Sequence, residues 1–88
     1  MISSQSIPPV PPRRLNGLDS PIVDVYLSQD GSLIAGVARE AVAVWDVMEE
    51  ELVSRIAVAK GSVVALSRDN QRLAVGSLDG VIHIYQQS

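Results

Sequence analysis

From Ile22 onward the chain alternates apolar and polar residues in short runs, each bounded by turn-forming residues. Runs of that length and period suit strands rather than helices. Ile22, Val25 and Leu27 mark a first strand, and Ser28-Gln29-Asp30-Gly31-Ser32 a turn in which Gly31 is free to take a positive φ. Residues 33–37 form a second strand, and residues 41–47 a third, with Val42 and Val44 facing away from Ala43 and Trp45. Glu49-Glu50-Glu51 ends that strand. Residues 52–58 form a fourth, with Val53 and Arg55 opposite Leu52, Ser54 and Ile56, and Lys60-Gly61 turns the chain. The series then restarts: Val63, Val64 and Leu66, a turn at Arg68-Asp69-Asn70-Gln71, a strand over 73–76, and a last strand over 81–85. Asp79-Gly80, flanked by apolar residues, signals a two-residue hairpin. Ala and Glu are frequent over 38–59 and admit a helix there, but the density of Val and Ile and the strand-length spacing favour strands.

Residues 1–20 have a different character. Ser3, Ser4, Gln5 and Ser6 are polar, and Pro8-Pro9-Val10-Pro11-Pro12-Arg13-Arg14 follows. Proline lacks the N–H a ladder needs and locks φ, so this head is expected to be disordered or polyproline II. It fits a Pro-x-x-Pro-x-Arg pattern twice, ending once at Arg13 and once at Arg14. A preformed polyproline II helix loses little entropy on docking to an aromatic groove, so Pro8, Pro11, Pro12, Arg13 and Arg14 are candidate contacts to an SH3-type domain. The plain alternative is a linker.

The two halves of the remaining chain superpose in sequence. Leu27-Ser28-Gln29-Asp30-Gly31 falls on Leu66-Ser67-Arg68-Asp69-Asn70, Leu33-Ile34-Ala35-Gly36 on Leu73-Ala74-Val75-Gly76, and Val42-Ala43-Val44-Trp45-Asp46 on Ile82-His83-Ile84-Tyr85-Gln86. The offset is 39 residues early and 40 later, an insertion placed in the second turn. A period of about 40 residues with four strands per unit is the signature of propeller blades.

These residues resemble the WD-repeat propeller family. Ile22-Val23-Asp24-Val25-Tyr26-Leu27-Ser28-Gln29-Asp30-Gly31 is similar to the opening of that family's blade, Leu73-Ala74-Val75-Gly76-Ser77-Leu78-Asp79-Gly80 to its middle, and Val42-Ala43-Val44-Trp45-Asp46 to its end. The resemblance spans residues 22 to 86 and implies structural roles for Asp30, Gly31, Trp45, Asp46, Ser77, Asp79, Gly80 and Tyr85. It departs from the family in three places. The Gly-His before each blade is missing, Arg39 stands in the first unit where the family has a buried Asp, and Tyr85 replaces the second Trp. The family's His–Ser–Asp–Trp network is therefore expected to be at most partial, through Ser77, Asp79 and Tyr85.

The expected architecture is all-β: a head over 1–20, a first four-stranded antiparallel blade over 21–60, and a second blade over 61–88 that lacks its outer strand. Two blades leave an incomplete propeller with two apolar faces open. Propellers close with four to eight blades, so the missing surface is expected to come from further copies of the chain, three or four in a ring, or from a partner chain. A fragment of a longer propeller is the alternative. The head is too rich in proline to serve as the missing strand.

Composition narrows the function classes. The net charge is −3 with no basic face, which removes the main electrostatic term for nucleic-acid binding. No apolar run approaches a bilayer span, and the first residues lack the basic and hydrophobic regions of a secretory signal, so a soluble, cytoplasmic protein is expected. There is no Cys, hence no disulfide or thiolate site. His83, the single histidine, is read as a solvent-facing strand residue opposite Ile82 and Ile84, with no metal-ligand partner at suitable spacing. Glu49-Glu50-Glu51 near Asp46 lacks the ligand spacing of a calcium loop and reads as a solvated turn. The Arg39-Glu40 and Asp79-Gly80 turns match the family's binding loops but specify no ligand. No Ser–His–Asp constellation, Gly-x-Ser-x-Gly elbow or phosphate-cradling loop is present. The reading is a non-catalytic protein-interaction module without cofactor or metal, and the alternative is a linear-motif adaptor working through its proline-rich head.

Overall fold

The computed structural model of the protein describes residues 14–86. The candidate contacts Pro8, Pro11, Pro12 and Arg13 lie outside the described residues; Arg14 is exposed. Seven strands form where the alternation places them: β1 (Asp24–Leu27), β2 (Leu33–Val37), β3 (Ala41–Asp46), β4 (Glu51–Ala57), β5 (Gly61–Leu66), β6 (Arg72–Ser77) and β7 (Ile82–Gln86). Each pairs antiparallel with its sequence neighbour, in one sheet of order β1-β2-β3-β4 and a second of order β5-β6-β7. The stretch over 38–59 accordingly holds two strands, β3 and β4, rather than a helix, because its β-branched residues pack on pleated surfaces.

The two sheets stack. The front of the first sheet carries Tyr26, Ala35 and Val44, and its back carries Leu27, Ile34 and Trp45. Ala35, Val37, Val42 and Val44 on that front meet Val64, Leu66, Leu73 and Val75 on the back of the second sheet, and these eight residues are the buried core. Each Val or Leu fully buried there contributes roughly 1.5–3 kcal/mol. Leu33, Ile56, Val58 and Tyr85 close its margin.

Polar contacts latch the same junction. The Val64 amide donates to Asp24 Oδ2 at 3.1 Å, and Arg39 Nη1 donates to the Gly61 carbonyl at 3.0 Å. The Gly61 amide donates to the Arg39 carbonyl at 2.8 Å. Gly61 is buried where the chain crosses between sheets. A Cβ there would collide with the Ala38 carbonyl oxygen and lie 2.6 Å from Val37 Cγ2, so the junction requires a glycine.

The structure corrects the internal superposition. Leu27 pairs with Ile34, and Leu66 with Leu73, so Leu73 corresponds to Ile34 rather than to Leu33. The offset of 39 runs through the turn and the second strand of each unit. The inserted residue lies in the β6–β7 hairpin, where three residues (78–80) separate the bonded pair Ser77 and Val81, against two (39–40) between Ala38 and Ala41 in the first unit. A one-residue slip exchanges the two faces of a strand, so this register decides which side chains of β6 are buried.

Three further expectations differ. Asp79-Gly80 is part of a three-residue loop, not a two-residue one. The Gly80 amide donates to the Ser77 carbonyl, the Ser77 amide to the Val81 carbonyl, and only Gly80 of the pair has a positive φ (89°). That is a type I turn followed by a left-handed residue, whereas a type I′ turn needs both central residues left-handed. In β4, a register shift opposite Val44/Trp45 leaves Val53 without a partner. Leu52 pairs with Trp45, which puts Leu52 on the same face as Arg55. Finally, residues 14–20, assigned from sequence to a free head, lie across the back of the first sheet. Trp45 Nε1 donates to the Asn16 carbonyl at 2.8 Å and Arg55 Nε to the Gly17 carbonyl at 2.9 Å. Arg55 Nη2 stands 3.7 Å from Asp19, and Ser20 Oγ donates to Glu40. This strap brings Trp45 down to 5% exposure.

Candidate functional site

The pleat that sends Val64, Leu66, Leu73 and Val75 into the core sends the intervening residues of the second sheet outward. Val63 pairs with Gly76, Ala74 with Ile84, and Gly76 with Ile82, so these residues share the front of that sheet. Nothing among the described residues covers it: Ile82 is 71%, Ile84 62% and Val63 55% exposed. Arg72 lies at one end of this face, paired with Gln86 on β7. At the other end the hairpin carries exposed Leu78 and Asp79.

His83 corrects the sequence reading. It lies opposite the isoleucines as expected, but the exposures are reversed. His83 and Tyr85 are half-buried on the back of β7, with rings stacked 6.2 Å apart at 18°, while Ile82 and Ile84 face solvent. The pleat thus turns the two isoleucines to solvent and the two rings toward the first sheet.

The outer edge of β7 has no neighbouring strand among the described residues. Beside it a cleft of about 310 Å³ opens between the sheets, with Val53, Ser54 and Ile56 of β4 on one wall and Leu73, Tyr85 and Gln86 on the other. In the first sheet the equivalent place beside β3 is held by β4.

The turn residues implied by the resemblance occupy defined places. Asp30 accepts from Ser28 Oγ at 2.8 Å, the Ser32 amide at 3.0 Å and Ser32 Oγ at 2.7 Å. The Ser32 amide, then the Ser32 and Ser28 hydroxyls, hold its carboxyl well below the usual carboxylate range. Gly31 takes φ 77° in this turn. Asp69 repeats the arrangement 39 residues on, accepting from Ser67 Oγ at 2.7 Å and the Gln71 amide at 3.1 Å, which lower its pKa in the same order. Asn70, at φ 62°, takes the place of Gly31 there, and its Nδ2 reaches back to Asp30 across the sheets at 3.3–3.4 Å. Asp46 accepts from the Glu49 amide at 2.9 Å, closing the turn at the acidic run.

The partial Ser77–Asp79–Tyr85 network is not assembled. Asp79 is exposed and accepts from the Val81 amide within its own turn at 3.2 Å, Ser77 Oγ is buried without a partner, and Tyr85 stacks on His83. Asp79 sits in the turn itself, outside both β6 and β7. From the sequence Gly61 reads only as a turn residue and Asp24 only as part of a strand opening, and nothing in it marks the strap. The chain-crossing position of Gly61, between a charged turn and a strand, was the one available signal. Among the described residues no group of three His, Cys, Asp or Glu stands close enough to hold a metal ion, and no helix is long and apolar enough to cross a membrane.

Among solved structures, the WD40 repeats of RRP9, known from a crystal structure, match this chain with a TM-score of 0.74 at 26% sequence identity. The match covers 84% of this chain and 25% of that one, so the chain spans about a quarter of the length of the structure it resembles. No family model matches the chain, and no curated protein does. The likeness and the unclosed pair of antiparallel sheets together define a partial, WD40-like propeller arrangement.

Proposed function

We propose that the protein is a non-catalytic protein-interaction module, a WD-like propeller segment whose open surface is completed by another polypeptide, either further copies of itself or a partner chain. WD40-like folds generally serve as interaction scaffolds, and the surface of this one supports that use. The observation that carries the reading is the bare front of the second sheet, where Val63, Ile82 and Ile84 stand in solvent on a regular pleated surface. An apolar sheet face beside an unpaired strand edge is a liability unless it is covered. The cleft next to β7 adds a place for an extended segment to pair with that edge.

Native light scattering with dye binding tests this. The expected outcome is either an assembly larger than one chain or a folded monomer that binds an apolar fluorescent dye, with Ile84→Lys suppressing the association or the dye signal. A folded monomer that binds no dye refutes the reading.

A second reading rests on the sequence motif at Pro8–Arg14, with the head binding SH3-type domains and the sheets acting as an anchor. Capture by an SH3 domain that is equal for the native chain and for Arg13→Ala/Arg14→Ala counts against it.

A further inference from the structure

The junction between the two sheets shows what a sheet-on-sheet contact in this chain requires, and that standard can be applied to a junction between copies. In a head-to-tail ring, the front of one copy's second sheet would meet the back of the next copy's first sheet. Each latch residue then has a counterpart displaced by 39 positions. Asp24, which takes the Val64 amide, is replaced by Val63, which has no acceptor. Arg39 is replaced by Leu78. Asn70, whose amide reaches Asp30, is replaced by Gly31, which has no side chain. Gly61, where even a Cβ collides with the Ala38 carbonyl oxygen, is replaced by Ile22. The strap over 14–20 also already lies across the back face that a ring would use, tied to Trp45 and Arg55. The two open ends of the stack therefore do not fit each other.

The bare front of the second sheet instead fits its own copy. Its central residues, Val63, Ala74, Gly76, Ile82 and Ile84, are uncharged. Its charges stand at the two ends, Arg72 with Asp69 beside it at the start of β6, and Asp79 with Lys60 at the hairpin end. A two-fold axis midway between the two fronts, parallel to the sheets and perpendicular to the strands, brings the Arg72 end of each copy over the Asp79 end of the other. The apolar rows meet between them.

We infer that, within the interaction-module reading on which this rests, the occupant of this face is a second copy of the chain, held by a two-fold contact between the fronts of the two second sheets. Such isologous pairing is the commonest symmetry of oligomers, and aligned sheet packing is an ordinary way to make a core. A three-stranded face of six-residue strands measures roughly 14 by 20 Å. Two such footprints bury only about 560 Å² together, less than the roughly 1,000 Å² of a stable specific interface, so the pair is a weak, reversible one that dissociates on dilution.

Sedimentation equilibrium over a wide concentration range tests this on the full chain. The mass should rise from one chain to two and go no further. Ile84→Lys should abolish the rise, whereas Val25→Lys, on the back of the first sheet, should leave it. Arg72→Glu alone or Asp79→Lys alone should shift the midpoint of pairing upward about tenfold, and the two together should bring it back. These two positions are exposed, so the charge exchange remains informative even where Ile84→Lys fails to fold. A mass of three or four chains, a dimer abolished by Val25→Lys, or a double charge exchange without recovery overturns the two-fold contact while the interaction-module reading stands. A single-chain mass at every concentration also overturns it, and dye binding by that monomer then decides the module reading separately.

Discussion

Gly61→Ala perturbs the junction at its tightest point, and the structure allows the cost to be worked out. The added methyl would collide with the Ala38 carbonyl oxygen and lie 2.6 Å from Val37 Cγ2 and 3.2 Å from Val58 Cγ2. Non-bonded carbon atoms rest at about 3.5–4.0 Å, so the β2–β3 hairpin and the start of β5 must part by roughly 1 Å. Overpacking of this kind costs about 1–3 kcal/mol. The same movement stretches the Gly61 N–H to Arg39 carbonyl bond, now 2.8 Å, and the Arg39 Nη1 to Gly61 carbonyl bond, now 3.0 Å. Losing one of them adds about 1 kcal/mol. Alanine recovers about 0.5–1 kcal/mol of backbone entropy relative to glycine in a strand. The net expectation is a loss of roughly 1–3.5 kcal/mol. Urea unfolding followed by Trp45 fluorescence measures it. Gly80→Ala is the control, since Gly80 has φ 89° and no neighbour within 4 Å of an added Cβ, so only the strain of a left-handed alanine is felt, about 1 kcal/mol. A Gly61→Ala chain within about 0.5 kcal/mol of the native one would show that the sheets are not packed at this point as described.

Two other predictions follow from the turns and the strap. The Asp30 carboxyl is held below its ordinary range in the folded state, so its contribution is present above that range and fades as pH falls through it toward the folded value. Stability should decline on acidification below roughly pH 5, and Asp30→Ala should flatten the decline; identical acid slopes for the two chains would remove the assigned role. Arg55 is held to Gly17 by one hydrogen bond and to Asp19 by an ion pair of exposed groups. Arg55→Ala should therefore lower global stability by no more than about 1 kcal/mol while making Trp45 more accessible to acrylamide; unchanged quenching would mean that the strap does not depend on this contact.

All seven strands were legible because local chemistry writes them. Val and Ile alternate over strand-length runs, and Gly31, Glu49-Glu50-Glu51, Lys60-Gly61 and Gly80 interrupt them. The paired Ser–x–Asp turns at 28–30 and 67–69 were legible as turns too, since short polar side chains bond their own backbone. Facing was less legible. Leu33 and Leu73 look equivalent in sequence, yet backbone pairing sets Leu73 against Leu66 as Ile34 is set against Leu27. The unpaired Val53 likewise moves Leu52 to the strap side. Neither a bulge nor a shifted insertion leaves a mark in composition.

The sequence by itself determined that this chain forms two successive meanders of antiparallel strands, because side-chain branching and turn chemistry act over a few residues and need no distant partner. Only the tertiary structure decided which faces are spent and which remain. Asn16 and Gly17 reach Trp45 and Arg55 from 29 and 38 residues away, and Asp24 reaches the Val64 amide from 40. Contacts at that separation depend on how two sheets stack, and stacking is settled by the shape of the whole core rather than by any one segment of it.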